Sequence, residues 1–337
     1  MAAPVHATTE PGLRRVIGVR GLAAAIFNIT VGAAIFVLPA HVAASLGAAA
    51  PLAYLVCAVA TGLVALCIAE AGSRVPQSGG PYAYVERAFG PYTGYLCGVL
   101  LWLGITLAMS AVATVLADAL GALMPALGGQ LPRAALLIAV FASLAVVNIR
   151  GAALGSQVSG VATVAKILPL IAFVVLGLSH VRAGNLALGS FPSLSRLGES
   201  GLLLMFAFFG MESALQVSGE VRDGARAVPR AIAITGTYVK LAIMANVAIL
   251  LVYLACCLAI VRLRQLDAGA ADKPFVMPGG RVVPWVAAGL IVALLARATA
   301  QAWLLTGGVM AAASLAFLAR HPRGSLQPSE RPSHPTP

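Results

Sequence analysis

The chain has 337 residues, 60% of them hydrophobic and 10% charged, and a formal net charge of +11. A soluble domain carries about 25% charged residues, so this composition excludes an ordinary soluble fold and makes lipid the solvent for most of the surface. The basic residues sit between apolar runs with almost no aromatics among them, which argues against a nucleic-acid partner and fits loops at an anionic membrane surface.

A spanning helix needs about 20 apolar residues. Nine runs read as spans: 21–46, 48–70, 93–121, 134–149, 158–180, 201–218, 231–261, 282–297 and 301–319. The fourth and eighth are the shortest. The first is too long for the apolar core of a secretory signal, so it is expected to stay in the cell membrane. Arg14, Arg15 and Arg20 precede it, which makes residues 1–20 a cytoplasmic segment. In an alternating count Arg74, Arg87, Arg150, Arg222, Arg226 and Arg230 are then cytoplasmic as well. Residues 320–337 are rich in Pro, Ser and Arg and read as a disordered tail.

Two runs are interrupted. The first carries Asn28-Ile29-Thr30-Val31-Gly32-Ala33-Ala34, and the sixth carries Phe206-Ala207-Phe208-Phe209-Gly210-Met211-Glu212. Small residues at depth also serve close helix packing. Corresponding interruptions in two halves of a chain point instead to a binding site between broken helices.

The seventh run is unusually long and holds Lys240. Its 31 residues would make about 46 Å of helix, more than the bilayer core. Read as one crossing, it places Arg262 and Arg264 outside and the C-terminus opposite the N-terminus, against the positive-inside tendency.

Other polar residues carry less. Glu70 beside Arg74, and Glu220 beside Arg222, read as ion pairs that order loops. Asp118 reads as an interface position. Cys57, Cys67, Cys97, Cys256 and Cys257 lie in or beside apolar runs and read as small buried hydrophobes. His41 and His180 stand alone near helix ends. With no metal spacing and no nucleophile–base set, neither an enzyme, a metal nor a cofactor is expected.

Three stretches resemble the amino acid–polyamine–organocation family of amino acid permeases. They are Thr30 to Pro39; Ala69-Glu70-Ala71-Gly72-Ser73-Arg74-Val75-Pro76-Gln77-Ser78-Gly79-Gly80-Pro81-Tyr82-Ala83-Tyr84 with Ala88-Phe89-Gly90-Pro91; and Phe206 to Glu212 with Ser218 to Arg222 and Val228 to Ile232. The second is the most specific. The resemblance implies an all-α integral membrane protein with a leucine-transporter-like fold of two inverted repeats. It implies secondary-active transport of a small amino acid or amine by alternating access, through proton-coupled symport or exchange.

Carried onto this chain, the resemblance makes Thr30, Gly32, Ala33, Ala34, Phe206, Phe209 and Gly210 the substrate-binding candidates. Backbone N–H groups at the start of a half-helix suit a carboxylate. Unwound carbonyls near Phe206 to Phe209 suit an ammonium, and the two rings would cover it. The family usually has Gly where Ala34 stands. Lys166, inside the fifth run, is the implied replacement for a sodium ion and, with Glu212, a proton-coupling candidate. A lysine at depth costs about 2.5–3.5 kcal/mol on insertion scales.

Nine spans are fewer than the family carries. The permease domain is expected over 21–319, with a first repeat at 21–180, a shortened second repeat at 201–261 and two final helices at 282–319. Family helices seven to nine are expected to be absent, with the join near 235–241. The alternative reading is a non-transporting relic or a membrane partner subunit. The oligomeric state is not legible.

Overall fold

Away from water, a spanning backbone satisfies its N–H and C=O groups only within helices or closed barrels. Every regular element among the described residues is helical. The computed structural model describes residues 31–75, 79–150, 152–182, 184, 191–210, 238–266 and 275–320. Ten α-helices run through them: α1 Ala34–Leu46, α2 Ala50–Arg74, α3 Pro81–Phe89, α4 Pro91–Leu123, α5 Gln130–Ile149, α6 Ala152–Leu178, α7 Leu194–Leu204, α8 Tyr238–Leu266, α9 Val282–Leu295 and α10 Ala300–Arg320.

Local chemistry sets several of these ends. Gly47, at φ 55°, stops α1, and a 3-10 turn at Gly47–Ala49 leads into α2. Pro81 and Pro91 open α3 and α4, where a missing N–H costs nothing. Among the described residues, six stretches are long and apolar enough to cross a bilayer. They are Ala34–Arg74 (α1 and α2 together), Pro91–Leu123, Gln130–Val147, Val161–Leu178, Ala242–Leu266 and Ala300–Arg320. With the shorter apolar α9, this is an all-α, multi-pass membrane fold.

Helix α8 is the centre of the bundle. It packs most extensively on α4 and also touches α2, α3, α7, α9 and α10. Gly104 of α4 permits a close approach, since a Cβ there would lie 2.5 Å from the Ile249 side chain. Helices α5 and α6 stand apart. Helix α5 joins α4 through Ala113, Ala117, Leu137 and Phe141 and through the Arg133–Asp118 ion pair at 2.7 Å. The principal neighbour of α6 is α5, and none of Val161–Leu178 is buried.

The structure corrects the expected path of the chain. Helix α8 does form one crossing, 29 residues long, or about 44 Å. Yet its C-terminal Arg264 meets Glu70 and its Arg262 Nε donates to the Ala88 carbonyl at 2.8 Å. Both arginines therefore share the membrane face of Arg74, not the opposite one. Phe317 near the end of α10 packs on Tyr92 and Tyr95 at the start of α4, so α10 ends at that face too. One end of the bundle thus collects Arg74, Arg262, Arg264 and Arg320, and the positive-inside tendency assigns it to the cytoplasm. The expectation failed because it counted crossings from Arg230, which lies outside the described residues.

This path is open to a labelling experiment. The native cysteines are buried. Single cysteines replacing exposed Gln265 and Arg320 are expected to react with an impermeant maleimide from the same side as one replacing Arg87. Labelling of Gln265→Cys from the side of Leu131→Cys would overturn the path.

Candidate functional site

Helix α7 starts on a capped end, where the Ser193 hydroxyl accepts from the Arg196 N–H at 3.4 Å. It ends after only 11 residues. Met205–Phe208 continue as a 3-10 turn, Phe209 is extended at φ −68° and ψ 148°, and Gly210 takes φ 130°. Only glycine adopts that last conformation at little cost. The break therefore falls on the Phe-Ala-Phe-Phe-Gly stretch that the sequence singles out.

Partners from three sides hold the break. The Thr61 hydroxyl donates to Met205 Sδ at 3.8 Å, and Thr61 stands midway along α2, so the break sits at mid-depth of the bundle. One turn earlier Cys57 Sγ reaches the Gly201 carbonyl at 3.5 Å. From α8, Asn246 Nδ2 donates to the Leu202 carbonyl. Tyr253 meets Phe209 edge-on at 6.2 Å, and Phe209 in turn meets Phe206 at 5.6 Å. Phe206 is buried and Phe209 half-buried.

Helix α1 packs against the same 3-10 turn. Val31 and Gly32 form a bend, Ala33 a turn, and the helix begins at Ala34 without a side-chain cap. First-turn N–H groups have no partner within a helix. Gly32, Ala33 and Ala34 thus form the bend, the turn and the first residue of the helix that packs on Met205–Phe208. Thr30 and Glu212 lie outside the described residues.

Lys166 is placed differently from the other candidates. It is half-buried on α6, whose principal neighbour among the described helices is α5.

A second polar centre closes the basic end. The Glu70 side chain is fully buried and accepts four side-chain donations and one from the backbone. Arg264 Nη2 reaches Oε2 at 2.6 Å and Arg264 Nε reaches Oε1 at 2.7 Å. Arg74 Nη2 and Nε reach Oε1 at 2.9 and 3.3 Å. The Met277 N–H reaches Oε2 at 3.0 Å, and Arg264 Nη1 continues to the Gly280 carbonyl at 3.0 Å. One carboxylate thus ties the end of α2 to the end of α8 and to the segment leading into α9. The Glu70–Arg74 pair was legible at spacing i, i+4; Glu220 and Arg222 lie outside the described residues.

Sequence reasoning named neither Arg264 as the partner of Glu70 nor Asn246 and Tyr253 as walls of the break. The signal for Asn246 was present, as a carboxamide within an otherwise apolar run. A cavity of about 400 Å³ lies elsewhere, between α2, α7 and α9. Its walls, among them Leu52, Val56, Phe191, Leu194 and Leu290, are apolar, and Arg297 is its one charged residue. Such walls suit an acyl chain better than a polar solute.

Comparison with known proteins gives the family. A family profile described as amino acid permease matches residues 17–321. The serine/threonine exchanger of Bacillus subtilis is 30% identical over 233 residues, covering 66% of this chain and 52% of the relative. The branched-chain amino acid permease of Lactococcus lactis is 26% identical, covering 60% and 48%. The arginine/ornithine antiporter of Latilactobacillus sakei is 26% identical, covering 62% and 47%. The chain spans about half the length of these curated relatives. The profile match covers nearly all of the described bundle, and the chain belongs to the amino acid permease family.

Proposed function

We propose that the chain moves a small amino acid or amine across the membrane, at the break between α7 and the start of α1. The observation that carries this is the break of the α-helix at Met205–Gly210, a 3-10 turn followed by extended backbone at mid-depth, packed against α1, whose start has no side-chain cap. Irregular backbone at that depth is tolerated where it is buried or lines a cavity. N–H groups at Gly32 to Ala34, with Thr30, attract a carboxylate. Unwound carbonyl groups near Phe206 to Phe209 accept from an ammonium. The Phe206 and Phe209 rings cover the bound molecule, and Gly210 lets the chain turn away from it. The relatives' names, which include exchangers and permeases, support the same reading.

Lys166 and Glu212 are the proposed proton-coupling groups. The role of Lys166 requires α6 to close onto α1, since α6 packs on α5 here. Family helices seven to nine are proposed to be absent from this chain.

Uptake of radiolabelled amino acids into proteoliposomes tests the proposal. Uptake above that of empty vesicles is expected, and it should rise with an inward proton gradient. Lys166→Ala should flatten that pH dependence while leaving half-saturation nearly unchanged. No uptake of any amino acid or polyamine would instead favour a non-transporting relic or partner subunit.

A further inference from the structure

The broken segment has a third wall, and it carries an acceptor that no described residue uses. Asn246 is fully buried on α8. Its Nδ2 donates to the Leu202 carbonyl, one turn before the break. That contact orients the carboxamide, because only the NH2 side can face a carbonyl. The Oδ1 then points away from Leu202, and it has no hydrogen-bond donor among the described residues. A buried acceptor left unpaired is costly, so natural interiors rarely keep one without a use.

Position along α8 says what the use is. Asn246 and Tyr253 are seven residues apart, two turns on one face of the helix. Tyr253 touches Phe209 and Asn246 touches Leu202, so this face of α8 flanks the break along its length. In the transport reading above, on which this inference rests, the break's backbone holds the charged ends of an amino acid. Asn246 stands about one turn farther out, where a side chain extends.

We propose that Asn246 Oδ1 is a specificity determinant that accepts a hydrogen bond from the substrate's side chain. It thereby favours hydroxyl- or amide-bearing amino acids over aliphatic ones of the same shape. A site built to pair with a donor discriminates against the isostere lacking it.

Threonine and valine provide the test, since they differ by a hydroxyl in place of a methyl. Each is titrated as a competitor of uptake by the reconstituted full chain, and as a stabiliser against thermal unfolding of the purified protein in nanodiscs. The wild-type protein is expected to prefer threonine by about tenfold, and Asn246→Leu to reduce the ratio to about one. The ratio does not depend on how much protein folds. Asn246→Ser, smaller and still polar, replaces the leucine variant if that gives no signal, and should lose most of the preference. Equal inhibition by the two amino acids in the wild type overturns the role of Asn246 while leaving transport intact. An unchanged ratio in the variants with lower uptake of both marks Asn246 as structural and also overturns it. If neither amino acid nor any other binds the wild type, the transport reading falls, and this inference with it.

Discussion

Replacing Glu70 by Leu is expected to destabilise the folded bundle by about 3–5 kcal/mol, the usual cost of removing one partner from a buried ion pair. The carboxylate is fully buried, while the side chains of Arg74 and Arg264 retain only 7% and 18% of their exposure. Without it both guanidinium groups keep their burial but lose the carboxylate they share. The Met277 N–H also loses its acceptor. The measurement is the unfolding midpoint of purified protein in nanodiscs. Glu70→Gln, which keeps acceptor capacity but not charge, should fall between Glu70→Leu and the wild type. Removing both charges in Glu70→Leu/Arg264→Leu should recover part of the loss, because apolar replacement of a buried pair is often close to neutral. A Glu70→Leu midpoint equal to that of the wild type would show that the network orders the surface without holding α2, α8 and the segment before α9 together.

Gly210→Ala is expected to reduce amino acid uptake by about tenfold or more while shifting the unfolding midpoint only modestly. At φ 130° a side chain meets its own backbone, and holding it there costs about 1–3 kcal/mol. The chain relieves that cost by moving the break, since the preceding 3-10 turn is weakly determined. Phe209 then leaves its place between Phe206 and Tyr253, and the carbonyls proposed to bind an ammonium turn with it. Gly98→Ala is the control, because Gly98 is helical and a Cβ there meets nothing within 4 Å. Wild-type uptake by Gly210→Ala would mean that the break is not the transport site.

Both predictions depend on features of different legibility. The break was readable from Phe206 to Gly210 because it rests on local properties, namely a run of aromatics ending at a glycine inside an apolar span. The membrane class, the approximate spans and the Glu70–Arg74 pair at one helical turn were readable for the same reason. Apolar length, breaker residues and i, i+4 spacing act within a few residues of chain, and lipid leaves the backbone little choice beyond a helix.

The tertiary structure alone decided which distant groups meet. Glu70 finds Arg264 across 194 residues, Asn246 finds Leu202 across 44, and Tyr253 finds Phe209. Such pairings follow from which face of α8 turns toward α2 and α7, and in which direction α8 runs. No local pattern encodes that direction, since an apolar helix satisfies its own backbone equally well pointing either way. Charge counted along the chain left Arg262 and Arg264 in conflict; packing resolves it by placing both beside Glu70 and Ala88. Lys166 shows the same limit. Its depth within an apolar run is a property of the sequence, but its neighbours depend on where α6 docks, and among the described helices its principal neighbour is α5.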